Sequence, residues 1–451
     1  MIDSQAIETG KKCLAAAKSQ GAAQAEVYIE NGKNYEVTAR DGEVETLKNS
    51  ESLGLGLRLF VDGRLGFGYT SNFDPASVDA FVGEVVALTK VTAADPHNQL
   101  PGAGILQSRN KAPETFDDKV ASLSPAWAVD AAITMEKVAK GFDPRIKTVS
   151  SVGAGTYQYD VAILNSLGLL DHARSTYLWA WAGPYAADDA GNGQVAYFFD
   201  MKCFADELAT PEEIANEAAR RVTARLGADK IDSGHMPVVF SPEMAAGLAG
   251  GLAGAANGDM VFKQASFLHD KLGASIAPAN FSLIDDPLKY HGTASGAFDG
   301  EGVPTRRLPI IEAGKLNLFL YDTYTASKAG TRSTGSAARS YSSLPRIGTS
   351  NLYIAPGDVA PEKIVGDVKK GLYVTSMMGR GVDTVTGDYS RGAQGFLIEN
   401  GELTQPVQEV TVAGNLLEML PKIDAIGSDL TFRGSTGAPT LRVAEMTVSG
   451  R

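Results

Sequence analysis

The sequence predicts an α+β protein in three parts. An N-terminal helix and antiparallel-sheet domain spans residues 1–95. A middle α+β domain spans 115–230, and a mostly antiparallel β domain with a few helices spans 235–451. Three observations predict this. Apolar residues at helical spacing alternate along the chain with segments of period two. The chain has 451 residues, enough for two to four domains. Hydrophobic residues make up 44% and charged residues 21%, the balance of a globular protein that buries large cores without disulfide or metal staples.

Residues 3–20 carry Ile7, Leu14 and several alanines at helical spacing, and Gly21 ends the run. Alternating segments follow at Ala25–Ile29, Tyr35–Arg40 and Val44–Leu47, with Asp41-Gly42 as a hairpin turn. Ser52–Val61 alternates leucine with glycine, Asp62-Gly63 turns the chain, and Arg64–Thr70 returns. Bare positions at alternate glycines leave one sheet face open to close approach by another backbone. A helix is expected over 75–92, and the prolines and glycines of 96–115 read as a linker.

The middle part reads as a helix over 123–140, strands near 146–151, 158–164, 174–182 and 195–203, and a helix over 211–226. Thr210-Pro211-Glu212-Glu213 supplies that last helix with an N-cap, a proline in its first turn and two acids near its positive end. The third part opens with a strand at 236–240 and a helix from Ser241-Pro242-Glu243 to about Ala256, whose glycines permit tight packing. Strand patterns recur at 307–312, 316–322, 351–355, 371–376, 394–399, 407–412 and 439–449, some divided by turns such as Asn400-Gly401.

A formal net charge of −12 argues against direct nucleic-acid binding, which needs a basic surface to displace counterions. Two cysteines, Cys13 and Cys203, do not make a disulfide framework. Residues 1–5 lack the pattern of a signal peptide. The longest notable uncharged stretch, Met244–Ala256, has 13 residues, against about 20 for a bilayer span. A cytoplasmic protein without membrane contact is expected.

The sequence contains no Gly-x-Ser-x-Gly elbow and no phosphate loop of the Walker type. Gly191–Ala196 reads as a turn, since no parallel strand precedes it. His97, His172, His235, His269 and His291 are never three to five residues apart, so no pair shares a helix face as a zinc site requires. Asp285, Asp286, Asp299 and Glu301 form an acidic group expected to be a solvated loop, with oxygen ligation of magnesium or calcium as the alternative. Cys203 beside Lys202 is either a packing residue or a thiol of low pKa. Thr331–Ser343, with Arg339, is expected as a mobile surface loop or a flap over a peptide. Gly387–Gly392 is expected as a tight turn or a contact segment. The candidate peptide or partner contacts are therefore Asp388, Tyr389, Ser390, Arg391 and Arg339.

Several runs together resemble the TldD/TldE family, whose TldE branch is also called PmbA. They are Ser52–Arg58, Phe298-Asp299-Gly300-Glu301-Gly302-Val303-Pro304-Thr305, Ser333–Ser336, Gly387-Asp388-Tyr389-Ser390-Arg391-Gly392 continuing to Phe396, Ile398–Glu402 and Val412–Leu416. The resemblance runs over nearly the whole chain. It implies a peptidase family in which the TldD branch binds zinc through a His-Glu-x-x-x-His helix and a later cysteine. The helix that would correspond here reads Leu248-Ala249-Gly250-Gly251-Leu252-Ala253, and no cysteine follows Cys203. That matches the zinc-free TldE/PmbA branch and implies no catalytic or metal-ligating residue in this chain.

By the same resemblance, the partners are a zinc-bearing TldD-like paralogue and an extended peptide, with a homodimer also possible. Strand addition would give such a peptide affinity with little sequence demand, and the glycine-alternating strand 53–68 and the β-rich third part are the surfaces expected for it. The leading reading is thus a non-catalytic subunit of a heterodimeric metallopeptidase. A regulatory or binding protein without a proteolytic role, and an independent peptidase with an unrecognised site, are the alternatives.

Overall fold

The computed structural model describes residues 2–106, 111–379 and 381–451. Residues 107–110 of the expected linker lie outside the described residues. The chain begins with helix α1 (Ser4–Ser19), capped by the Asp3 carboxylate, which accepts from the Ala6 N–H at 2.8 Å. Strands β1 (Gln24–Arg40), β2 (Glu43–Val61) and β3 (Arg64–Thr70) form a meander, followed by helix α2 (Val78–Thr89). Asp41-Gly42 and Asp62-Gly63 make the two turns, with φ of 54° and 82°, and of 50° and 73°. Both turns have the paired positive φ of a two-residue hairpin loop.

Helix α3 (Pro125–Phe142) leads into β4 (Ile146–Asn165) and β5 (Leu170–Ala187). The strand candidates at 146–151 and 158–164 are halves of one strand, hidden in the sequence by the Ala/Gly-rich stretch between them. Short strands β6 (Gly193–Val195) and β7 (Phe198–Lys202) follow, then helix α4 (Pro211–Ala224). The expected cap of α4 is a reciprocal box: Glu213 N–H donates to Thr210 Oγ1 at 3.2 Å, and Thr210 N–H donates to Glu213 Oε2 at 2.8 Å.

All seven strands belong to one sheet, ordered β3-β2-β1-β4-β5-β6 with β7 also on β5. The joint lies at β1 and β4, antiparallel from Glu26↔Asn165 to Thr38↔Gly153. The segments before and after the linker therefore share a sheet. Its two faces follow the alternation of β1. Odd positions Val27, Ile29, Tyr35, Val37 and Ala39 pack beneath the helices, in one cluster with α1 and α2 and another with α3. Even positions Glu26 and Tyr28 face the C-terminal region, where Tyr28 joins Val161, Ile163, Phe298 and Tyr341.

The bare face left by the β2 glycines is filled by the chain itself. A Cβ on Gly56 would stand 2.2 Å from the Tyr341 carbonyl oxygen, and one on Gly54 2.2 Å from the Tyr341 ring. That stretch of β2, expected as a surface for an added peptide strand, is thus covered on this face.

In the C-terminal region β8 (Gly234–Phe240) pairs in parallel with β9 (Lys370–Met378), which continues antiparallel to β10 (Asp388–Glu399) and β11 (Glu402–Asn415). Strand β12 (Leu441–Ser449) pairs with both β11 and β8 and closes the ring. A second sheet of short strands runs from Lys315–Leu316 to Thr431–Arg433. Helix α5 (Pro242–Ala255) sends Leu248, Ala249, Leu252 and Ala253 into the core shared by both sheets. The pairing is mostly antiparallel, as the sequence predicts. Of the expected strand 316–322, only Lys315–Leu316 forms.

Four buried charges tie the first sheet to this region. Glu26 on β1 meets Arg58 on β2 at 2.9 Å and Arg339 at 2.6 Å, and Arg58 meets Glu301 at 2.8 Å. Glu301 also accepts the Thr323 N–H at 2.7 Å. Burial raises the pKa of Glu26 and lowers that of Arg339. Burial also opposes the charge of Arg58, but its two carboxylates outweigh this and raise its pKa. Removing one member strands a buried charge. Glu301→Ala is expected to lower the unfolding free energy by about 3–5 kcal/mol, read from the denaturant midpoint. A change within about 0.5 kcal/mol, the range of an ordinary surface substitution, would overturn this account.

Candidate functional site

Helix α5 presents its apolar residues to the core and its glycines to the opposite side. Gly247 lies under the Arg391 guanidinium, whose Nη1 is 3.5 Å from where a Cβ would stand. Above Gly250 there is open space. Gly251 and Gly254 are covered by the connection between β9 and β10: a Cβ on Gly251 would stand 2.3 Å from Val382 Cγ2, and one on Gly254 3.4 Å from Thr384 Cγ2. This face does not fit a zinc ion. It offers hydrogen atoms and a valine methyl where donor atoms would be needed. Among the described residues no group of three histidine, cysteine or acidic side chains is placed to hold a metal.

The open part of this face lines a lobe of about 790 Å³, which adjoins a second lobe of about 660 Å³ at the N-terminal end of α5 to make one groove. Arg221, Arg225, Glu243, Thr375 and Arg433 line both lobes. Glu243, in the first turn of α5, takes two bonds from Arg221 at 2.7 and 2.9 Å and a longer contact from Arg433 at 3.5 Å. Burial opposes the Glu243 charge, but the two arginines hold its pKa below the ordinary value. Arg221 and Arg433 also sit over the Phe198 ring, at 4.7 and 4.5 Å from its centroid. Tyr197, Phe199, Met378 and Leu403 expose large apolar surfaces along the walls. A groove with ordered charges, apolar walls and a bare position at Gly250 can hold an extended chain. It has no evident nucleophile and base pair.

The candidate contacts fall in different places. The Gly387–Gly392 run is the start of β10, not only a turn. Asp388 and Ser390 face solvent, with Asp388 accepting from Thr386 Oγ1 at 2.9 Å and Asn415 Nδ2 at 3.0 Å. Those bonds hold its pKa below the usual carboxylate value. Tyr389 points into the core and its hydroxyl lies 2.9 Å from Met377 Sδ. Burial pushes its pKa up to about 12. Arg391 alone of the four reaches the face of α5. Arg339 belongs to the buried ion network and is fully enclosed.

Three expectations change. Thr331–Ser343 is not a mobile surface loop or a flap: Ser333, Thr334, Ser336 and Ala337 are buried, and Thr334 accepts from the Tyr321 N–H at 2.8 Å. The acidic group is not a solvated loop, because Asp285, Asp299 and Glu301 are buried. The Asp299 carboxylate accepts from three backbone N–H groups, of Glu301, Val303 and Ala337. Cys203 is buried, which pushes its thiol up to about 12, the reverse of an activated thiol. The groove arginines and Glu243 were missed by sequence reasoning. Their signal was weak: three arginines in the last turns of an ordinary-looking amphipathic helix.

Two predictions follow from this geometry. Gly251→Ala should gain about 1 kcal/mol from helix propensity, yet the clash with Val382 should leave it about 1–3 kcal/mol less stable than the parent. The added Val382→Ala change should recover most of the loss, and unfolding curves that show no coupling between the two changes would refute the packing. Burial raises Asp285 to about 6, against ~3.9 when unfolded. Its contribution to stability is therefore complete below the unfolded value and lost as pH rises through the folded one. Asp285→Asn should remove that loss, adding up to about 3 kcal/mol at pH 7, and parallel stability-against-pH curves for parent and variant would count against it.

Comparison with known proteins agrees with this architecture. Family profiles described as PmbA/TldA metallopeptidase domain 1, central domain and C-terminal domain match residues 25–89, 118–226 and 233–450. The chain is 33% identical to the metalloprotease PmbA of Escherichia coli O157:H7, over 97% of this chain and 94% of that protein. It is 29% identical to a metalloprotease PmbA homologue of Haemophilus influenzae, over 96% and 93%. A crystal structure from Bacteroides thetaiotaomicron, described as a candidate modulator of DNA gyrase, superposes with a TM-score of 0.91 at 29% identity, covering 100% of both chains. The fold is also that of TldE from Thermococcus kodakarensis, with a TM-score of 0.88 at 22% identity over 98% and 100%. With the helix, the ring of strands and nearly the full length accounted for, this chain belongs to the PmbA/TldD metallopeptidase family.

Proposed function

We propose that this chain is the zinc-free, non-catalytic subunit of a heterodimeric TldD/TldE-type metallopeptidase that degrades or matures peptides in the cytoplasm. Its part is to support assembly and to hold an extended peptide. A TldD-like paralogue supplies the zinc.

The observation that carries the reading is the groove face of α5. Where the catalytic branch is expected to carry its ligands and base, the helix reads Leu248-Ala249-Gly250-Gly251-Leu252-Ala253, with neither histidine nor glutamate, and on its outer face Gly250 is open and Val382 packs down on Gly251. A helix with no side chain over its open stretch leaves room for a substrate backbone and gives nothing to polarise a carbonyl. The names of the relatives, metalloproteases of the PmbA type, support a place in proteolysis. The candidate contacts Arg391, beside Gly247 of α5, and Asp388 and Ser390, on solvent-facing β10, are assigned to peptide or partner, while Tyr389 packs in the core beneath them and Arg339 belongs to the buried ion network. Among the described residues no helix is long and apolar enough to cross a membrane.

A tagged chain recovered from its own host should bring down, in near-equal amount, a paralogue bearing His-Glu-x-x-x-His. The mixed complex should cleave an unfolded peptide and lose that activity to a metal chelator, while the chain alone leaves the peptide intact. Chelator-resistant cleavage by the pure chain would sink the reading in favour of an independent peptidase.

A further inference from the structure

We propose that Arg225 is the anchor for a carboxylate of the bound peptide, where the two lobes of the groove meet near the start of α5; this rests on the peptide-holding role proposed above. Arg225 follows the last turn of α4, is only 8% exposed, and lines both lobes of the groove. Its neighbours Arg220 and Arg221 pair with Glu217 at 2.7 to 2.8 Å, Arg221 also with Glu243, and Arg433 reaches Glu243 and Asp200. Arg225 alone among these four has no carboxylate within ion-pair distance among the described residues. Its guanidinium meets only neutral oxygens, at the long distances of 3.2 Å to the Val195 carbonyl, 3.3 Å to the Thr375 carbonyl, 3.4 Å to Thr375 Oγ1 and 3.5 Å to Gln394 Oε1. A buried guanidinium held this loosely is built for an anion that arrives from outside.

A second observation points to the same place. Ser241, the residue before α5, is 9% exposed and lines the lobe beside Arg225, and its hydroxyl has no hydrogen-bond partner among the described residues. As the N-cap position it would ordinarily bond the first turn of its own helix, and it does not. The N-terminal end of a 14-residue helix adds positive potential toward the same lobe. Burial and the nearby charge of Arg221 outweigh the opposing pull of Glu243 and push the Arg225 pKa down to about 10, so an arriving anion relieves a destabilised charge.

The walls select the kind of anion. Tyr197, Phe199 and Met378 give apolar contact area in the lobe that Arg225 shares with the open position at Gly250. That combination suits a peptide with apolar side chains and a carboxylate, either its C-terminus or an acidic side chain, better than a small inorganic anion.

The test uses the isolated full-length chain and three fluorescein-labelled pentapeptides of alanine and leucine. One ends in a free carboxylate, one in an amide, and one in an amide with an internal glutamate. By fluorescence anisotropy the free acid should bind about ten-fold more tightly than the plain amide. Arg225→Gln should reduce that ratio to near one, while Arg220→Gln, on the same groove but already paired, should keep it. The glutamate peptide distinguishes the two sources of carboxylate, and binding by either source supports the anchor. Should Arg225→Gln fail to fold, Gly250→Leu fills the open floor without touching the Arg225 contacts and should abolish binding of all three peptides. Equal binding of acid, glutamate peptide and plain amide overturns the anchor and leaves a peptide-holding role standing. Binding of none of them overturns both the anchor and that role, and the pull-down tests the subunit reading separately. Inorganic phosphate that binds more tightly than either carboxylate peptide also overturns the anchor, in favour of a general anion site.

Discussion

Two arginines and two glutamates buried between the first sheet and the C-terminal region set the geometry on which the rest of the molecule depends. Glu26 and Arg58 lie on the face of β1 and β2 turned away from the helices, while their partners Arg339 and Glu301 come from loops 313 and 243 residues later. Charges in such a place are tolerated only if each finds a partner, so the network admits one docking of sheet and region. The close seat of Tyr341 against Gly54 and Gly56 acts in the same direction. Together they fix loops that would otherwise lie free, and they account for the burial of the Ser/Thr/Gly segment.

The groove lies between the same two parts, shaped by α4, β6 and β7 on one side and by α5 and β9 on the other. Its walls are apolar, and of the arginines that line it Arg225 alone has no carboxylate within ion-pair distance among the described residues. The apolar half of α5 alone satisfies the core through Leu248, Ala249, Leu252 and Ala253, so its other face can carry glycines.

Much of the fold was legible in local pattern. The helices α1 to α5 and the Asp-Gly hairpins are strong short-range signals, since caps, turns and spacing act within a few residues. The β4 strand was divided in two because Ala and Gly in Val152–Gly155 hide alternation, and its continuity depends on pairing with β1, more than 100 residues earlier. The candidate site was legible only in part. Arg391 lies where a contact residue could act, but the same run put Tyr389 in the core. Arg339 carried a charge in a small-residue loop, which reads as solvent-facing unless its distant partner Glu26 is known.

By itself, the sequence determined the mixed α+β class, the positions of the main helices and turns, the family, and the absence of histidine and glutamate along the open stretch of α5. These follow from residue type and spacing. The tertiary structure alone decided that the first two parts share one sheet, that Asp285, Asp299 and Glu301 are buried, and that Arg225 is the unpaired arginine of four. Each of these depends on which residues far apart in the chain become neighbours, and burial and charge pairing are properties of those neighbours and not of the residue that bears the charge.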